Sequence, residues 1–157
     1  MLLIAYASKT GNTKEGAERL AELLPEAVLV DLTQETPVLE EYDEVIIGAG
    51  VRVGAAHKTA REFLVKNKAA LASKRYAIFI SNCFADTVEE ILVKSVDAET
   101  LKGAVWAGSV GGWLNMEKVK GVDKVLAKAA TKAVKDGQKV NEELDLKAIS
   151  ELAASFK

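Results

Sequence analysis

Leu2-Leu3-Ile4-Ala5-Tyr6, followed after Ala7 by Ser8-Lys9-Thr10-Gly11-Asn12-Thr13, is the stretch from which the rest of the chain can be read. The first five residues are an apolar run of strand length. Beyond the loop, Ala17, Leu20, Ala21 and Leu24 recur at helical spacing. In a strand, loop and helix arrangement, the unpaired backbone N–H groups of the first helical turn point into the loop. Hydroxyls from Ser8, Thr10 and Thr13 add donors, so the loop suits phosphate oxygens. Gly11 lets the backbone come close. Ordinary turns and helix caps use the same residue types, so the surrounding chain must decide between them.

Composition narrows the surroundings. A chain of 157 residues, 49% of them hydrophobic, fits one domain with enough interior for a sheet covered on both faces. Lys plus Arg number 21 against 23 Asp plus Glu, a formal charge of −2, so bulk charge gives no sign of nucleic-acid binding. Cys83 and His57 are each the only residue of their type, which excludes an intramolecular disulfide and a Cys/His metal cluster. The expectation is a reducing, cytoplasmic setting. Met1 to Tyr6 lacks a basic leader, and no segment approaches the roughly 20 apolar residues of a membrane span, so neither export nor a span is expected.

Apolar runs suited to buried strands occur at Leu2 to Tyr6, Ala27 to Val30, Val45 to Gly48, Tyr76 to Ser81 and Ala104 to Ala107. Helical patterns separate most of them, one through Ala60, Phe63, Leu64, Lys66 and Asn67, another through Val88, Ile91 and Leu92. Such alternation predicts right-handed crossovers and a doubly wound α/β fold with a five-stranded parallel sheet and helices on both faces. Two more helical stretches follow, around Val122 to Ala133 and Leu146 to Phe156, with a turn at Gly137 to Asn141. No internal repeat or interdomain linker is visible, so residues 1–157 read as a single domain. A sheet of this kind takes its ligand beyond the carboxyl ends of the strands. That rule selects four segments: Ser8 to Thr13, Ala49 to Ala56, Asn82 to Thr87 and Gly108 to Asn115.

The first of them resembles the phosphate loop of the flavodoxin family, a Ser/Thr-x-Thr-Gly-x-Thr signature met here by Ser8, Thr10, Gly11 and Thr13. The resemblance implies strand order 2-1-3-4-5 and FMN as cofactor, its phosphate held by Ser8, Lys9, Thr10, Gly11, Asn12 and Thr13. It also implies that the segment after the third strand, Ala49-Gly50-Val51-Arg52-Val53-Gly54, lies along the flavin edge. There a backbone group contacts the ring and reorients on reduction, a movement that Gly50 or Gly54 would permit. An ordinary tight turn is the alternative. Arg52 near the ring would favour its anionic reduced form, or hold a carboxylate or a quinone oxygen; otherwise it is a plain surface arginine. With few acids in the ligand loops, the expectation is a less negative final reduction potential than in strongly acidic flavodoxins.

After the fourth strand, Ser81, Asn82, Cys83, Phe84 and Asp86 complete the candidate ring site. Phe84 is a stacking face or a core plug. Cys83 reads as a small buried residue rather than a reactive thiol, and Asp86 with Thr87 as a helix cap. After the fifth strand, Gly111, Gly112 and Trp113 belong to a segment long enough for a lid, Trp113 covering a ligand or packing on the extra helix. Trp106 reads as core. Lys120, Lys124, Lys128 and Lys132 line one helical face, a solvated surface or a dock for something acidic.

The stretch Tyr42 to Gly54 with His57-Lys58, the pair Ala107-Gly108 and the segment Leu144 to Ile149 are similar to the flavodoxin-domain branch that includes menaquinone-dependent protoporphyrinogen oxidase. That branch implies an FMN enzyme passing electrons to a quinone. The segment after the fifth strand departs from it, being rich in alanine and lysine where the branch is more aromatic and basic. The leading expectation is therefore an electron carrier serving a redox partner protein such as a ferredoxin-linked oxidoreductase, with no side chain performing acid/base chemistry. A quinone-linked oxidoreductase acting on a small molecule stands second. A phosphorylated receiver module lacks its acids, since Ala7-Ser8 and Gly48-Ala49 occupy their places, and a nucleoside triphosphatase lacks its Gly-x-x-x-x-Gly-Lys loop.

Overall fold

In the computed structural model, which describes residues 1–9, 11–52, 54–112 and 143–157, the opening apolar run is strand β1 (Leu2–Ala7), buried along its whole length. It is flanked on both sides by parallel partners. β2 (Val28–Asp31) pairs through Leu3↔Val28, and β3 (Glu44–Arg52) through Leu2↔Glu44. β5 (Arg75–Ser81) and β6 (Trp106–Ser109) extend the sheet to the order β2-β1-β3-β5-β6. The remaining strand, β4 (Ala55–Ala56), pairs antiparallel with the end of β3. With that short return strand set aside, the parallel strands follow the expected order.

The strand ends differ from those read in the sequence, for local reasons. The second strand is displaced by one residue, because Asp31 still pairs with Tyr6 and only then does its carboxylate turn the chain by accepting from Thr33 N at 2.9 Å. The last parallel strand is displaced by two, pairing Ala77↔Trp106 to Ile80↔Ser109. The larger correction concerns Ala49 to Arg52, expected as loop and found as strand. β4 supplies the missing ladder through Val51↔Ala56 and Arg52↔Ala55, and Gly54 turns the chain at φ 71°. A left-handed residue of this kind suits a short hairpin turn.

Strand alternation divides the core in two. Leu3, Ile47, Ile78 and Ile80 face α2 (Lys58–Lys66) and α4 (Val88–Ser95), packing with Phe63, Leu64 and Leu92. Ile4, Ile46 and Phe79 face α1 (Asn12–Leu23) and the closing helix Leu146–Ala154, packing with Leu20, Ile149 and Leu152. Trp106 is half-buried against this second cluster. α1 descends close to the sheet at Gly16, where an added Cβ would lie 3.2 Å from Val110 Cγ2 and 3.7 Å from Phe79 Cε2. The helix expected around Val122 to Ala133, its lysine face and Trp113 lie outside the described residues.

Two short helices, α3 (Lys68–Leu71) and α5 (Ala98–Gly103), precede β5 and β6 respectively. Asp97 caps α5, accepting from Thr100 N at 3.0 Å and from Thr100 Oγ1 at 2.6 Å. These hydrogen bonds, with help from Lys68, hold its carboxyl down at about 2. A carboxylate lowered in the folded state stabilises above its unfolded pKa, and that contribution disappears as the pH falls through the folded value. Urea midpoints measured from pH 5 to pH 2 should therefore fall less steeply in Asp97→Asn than in the parent chain.

Candidate functional site

The described residues of all four selected segments gather at the carboxyl end of the sheet. In the first, Gly11 is the N-cap of α1 at φ 98°, and its N–H donates to Ser8 Oγ at 3.1 Å. As a glycine, the cap contributes no side-chain hydrogen bond to the first-turn N–H groups of α1, and a helix N-terminus of this kind attracts an anion. Asn12 and Thr13 begin the helix, Thr13 fully buried and Asn12 half-buried, while Lys9 is exposed. Thr10 lies outside the described residues.

The second segment is the β3–β4 hairpin. Gly50 O accepts from His57 N at 2.7 Å, so the Gly50 carbonyl is fixed by the return strand. Gly54 is exposed, and a Cβ there would meet nothing within 4 Å, so it is the one with room to move. Gly50 instead admits Thr13, whose Oγ1 would lie 3.1 Å from a Cβ at position 50. Ala49 is buried, Val51 half-buried and Arg52 exposed, while Val53 is outside the described residues.

His57, missed as a site residue in the sequence, organises this corner. Its Nδ1 accepts from Thr59 N at 3.2 Å and caps α2, an arrangement that assigns the ring proton to Nε2. Burial pushes its pKa below the usual imidazole range, and Lys9, Arg52 and Arg61 push it the same way against the opposing pull of Asp31. The ring is therefore neutral at pH 7. Arg61 is positioned by donating from Nε to Ala56 O at 2.9 Å. The hairpin side of the site thus carries a concentration of positive charge that the overall composition conceals. Its only sequence signal was the lone histidine just after a glycine-rich turn.

At the end of β5, Asn82 joins the third segment to the fourth. Its Nδ2 donates to Phe84 O at 2.6 Å, its Oδ1 accepts from Ser109 Oγ at 2.6 Å, and Ser109 Oγ in turn accepts from Gly111 N at 3.0 Å. Ser109 was not singled out in the sequence. The Cys83 thiol is held protonated by burial, in keeping with a structural residue. Phe84 is half-buried at the rim. The expected Asp86–Thr87 cap is corrected: Asp86 is exposed, and Thr87, although at the N-cap of α4, turns its hydroxyl back to Phe84 O at 2.9 Å. Beside this loop, a shallow groove of about 500 Å³ between α4, α5 and β6 includes Asp86 but no residue of the first segment.

Gly111 and Gly112 are held against residues 143–145 and Asn12. Gly111 bridges Leu144 at φ 77°, and a Cβ there would come within 2.8 Å of Asp145 N and Glu143 O. Gly112 donates to Glu143 O at 3.2 Å, and a Cβ on it would stand 3.3 Å from Asn12 Nδ2. Ser81 completes the picture. It is 5% exposed, and its Oγ is the one buried side-chain polar atom without a hydrogen-bond partner among the described residues. Among those residues no group of three or more His, Cys, Asp and Glu could hold a metal, and no helix is long and apolar enough to cross a membrane.

A family model described as a flavodoxin domain matches residues 3–141. Over 93 residues the chain is 34% identical to protoporphyrinogen IX dehydrogenase [quinone] of Escherichia coli K12, covering 56% of this chain and 51% of that protein. It is 40% identical over 73 residues to an NAD(P)H dehydrogenase (quinone) of Rhizobium rhizogenes, covering 38% and 37%. The matches thus span about half, or less, of these curated relatives. Among solved structures, oxidised flavodoxin 1 of Bacillus cereus superposes with TM-score 0.52 at 22% identity, covering 85% of this chain and 97% of that one. A Lactobacillus acidophilus flavoprotein in complex with FMN gives 0.54 at 16% identity, covering 71% and 92%. These two likenesses concern the fold.

Proposed function

Because this chain belongs to the flavodoxin-domain family, we propose that it binds FMN within a single domain over residues 1–157 and carries electrons between redox partners. The observation that carries the cofactor assignment is the glycine-capped N-terminus of α1 at the carboxyl end of the parallel sheet, together with the buried Ser81 hydroxyl, which has no partner among the described residues. Such an arrangement suits a phosphate dianion. On this reading Ser8, Lys9, Thr10, Gly11, Asn12 and Thr13 hold the phosphate. Ala49 to Gly54 and the segment Asn82, Cys83, Phe84 and Asp86 border the ring, and Gly111, Gly112 and Trp113 border the remaining side. Bound FMN supplies the electron chemistry; the residues here bind, orient and tune it.

Tuning comes from the charges around His57. Lys9, Arg52 and Arg61, opposed by Asp31, favour an added negative charge nearby, which supports a less negative final potential. A quinone-linked oxidoreductase is the second reading, favoured by the names of the curated relatives. An anaerobic reductive titration of the flavin-loaded protein separates the two. Two resolved one-electron steps are expected for the carrier, whereas a single two-electron step, with turnover of a quinone, would move the assignment to the oxidoreductase. A protein that takes up no FMN overturns both.

A further inference from the structure

Ser81 has a buried hydroxyl that no group among the described residues satisfies, and leaving such a group unpaired is costly. Its position says what it is for. Strand alternation puts Ser81 on the same face of β5 as Phe79 and Ala77, the face covered by α1. α1 is located over this part of the sheet by three close approaches. Gly16 lies over Phe79 and Val110, Thr13 over Gly50, and Asn12 against Gly112. Gly50 is the β3 partner of Ser81, and Val110 N donates to Ile80 O on the other side. Ser81 thus lies between Gly50 of β3, which approaches Thr13 in the first turn of α1, and Val110 just beyond β6, which approaches Gly16 one turn further on.

Resting on the FMN reading, we infer that Ser81 is a ligand of the cofactor's phosphate, donating from the sheet beneath the loop that wraps it from above. The assignment moves Ser81 from the ring side, where its place after the fourth strand had put it, to the phosphate side. The chemistry agrees with the surroundings. A phosphate oxygen is an acceptor without a proton to offer, and a serine hydroxyl can turn to donate to it. The open N-terminus of α1 favours negative charge at the same place.

The test compares FMN with riboflavin, which lacks the phosphate, in the parent chain and in Ser81→Ala. Removing one hydrogen bond to a charged oxygen should weaken FMN roughly tenfold, leave riboflavin affinity within about twofold, and leave the urea midpoint of the flavin-free protein unchanged or higher, since an unsatisfied buried group has been removed. Equal weakening of both flavins would place Ser81 against the ring or ribityl chain and overturn the assignment. So would unchanged affinity for both, the result expected if a buried water satisfies the hydroxyl. A parent chain that binds neither flavin overturns the cofactor reading and this assignment together, whereas a parent that binds FMN beside an unaffected variant overturns this assignment alone.

Discussion

Asn12→Asp should lower the affinity for FMN by at least two orders of magnitude while leaving the flavin-free protein as stable as before. The exchange is nearly isosteric, and Asn12 is the first residue of α1, directly after the glycine cap. A carboxylate there interacts favourably with the helix macrodipole, by about 0.3–1 kcal/mol. Against a bound phosphate the sign reverses. Two like charges at about 5 Å repel by about 3 kcal/mol at an effective dielectric near 20, and the second phosphate charge adds to this. Each 1.4 kcal/mol is a factor of about ten. Fluorescence titration with FMN and riboflavin, beside urea unfolding of the flavin-free variant, checks both signs. Unchanged FMN affinity would remove the phosphate from the end of α1.

Gly48→Ala carries the largest expected loss of stability, about 3 kcal/mol or more. A Cβ at position 48 would stand 2.1 Å from Phe79 Cζ, with Cε1 and Cε2 at 2.5 and 2.7 Å. The ring is fully buried and has nowhere to retreat, since Gly16 of α1 crosses its other side. Accommodating the methyl means displacing Phe79 from the core between β3, β5 and α1. Urea unfolding should show a much lower midpoint, and Phe79→Leu in the same chain should recover part of it. An unchanged midpoint in Gly48→Ala would mean that the strands are not packed in this way.

The three glycines of this segment show where sequence reading stops. In the sequence Gly48 closes a strand while Gly50 and Gly54 look interchangeable as flexible points of one loop, because the sequence displays residue type without what each glycine faces. In the fold they separate. Gly48 makes room for Phe79, Gly50 makes room for Thr13, and only Gly54 stands open at a turn. The sheet was legible because each buried parallel strand is an apolar run between helical periods, which depends on composition over several residues. Its ends were not, since these depend on single contacts such as the Asp31 turn and the pairing of β4. The candidate phosphate loop could be proposed from the sequence because its residues are consecutive. The charge around His57 was not, because Lys9, Arg52 and Arg61 come from three separate elements.

The relay through Asn82 has a consequence for the rim of the sheet. β6 is a strand of four residues that, among the described residues, pairs with β5 alone and so forms an edge of the sheet. Edge strands are ordinarily the first part of a sheet to fray. Here the edge leads into Ser109, whose hydroxyl links Asn82 to the Gly111 amide, and Gly112 then rests on Asn12 at the head of α1. Anything that stiffens the head of α1 therefore reaches the free margin of the sheet through packing and two hydrogen bonds. Amide hydrogen exchange in β6, far along the sheet from β1, becomes a gauge of whether the loop after β1 is filled.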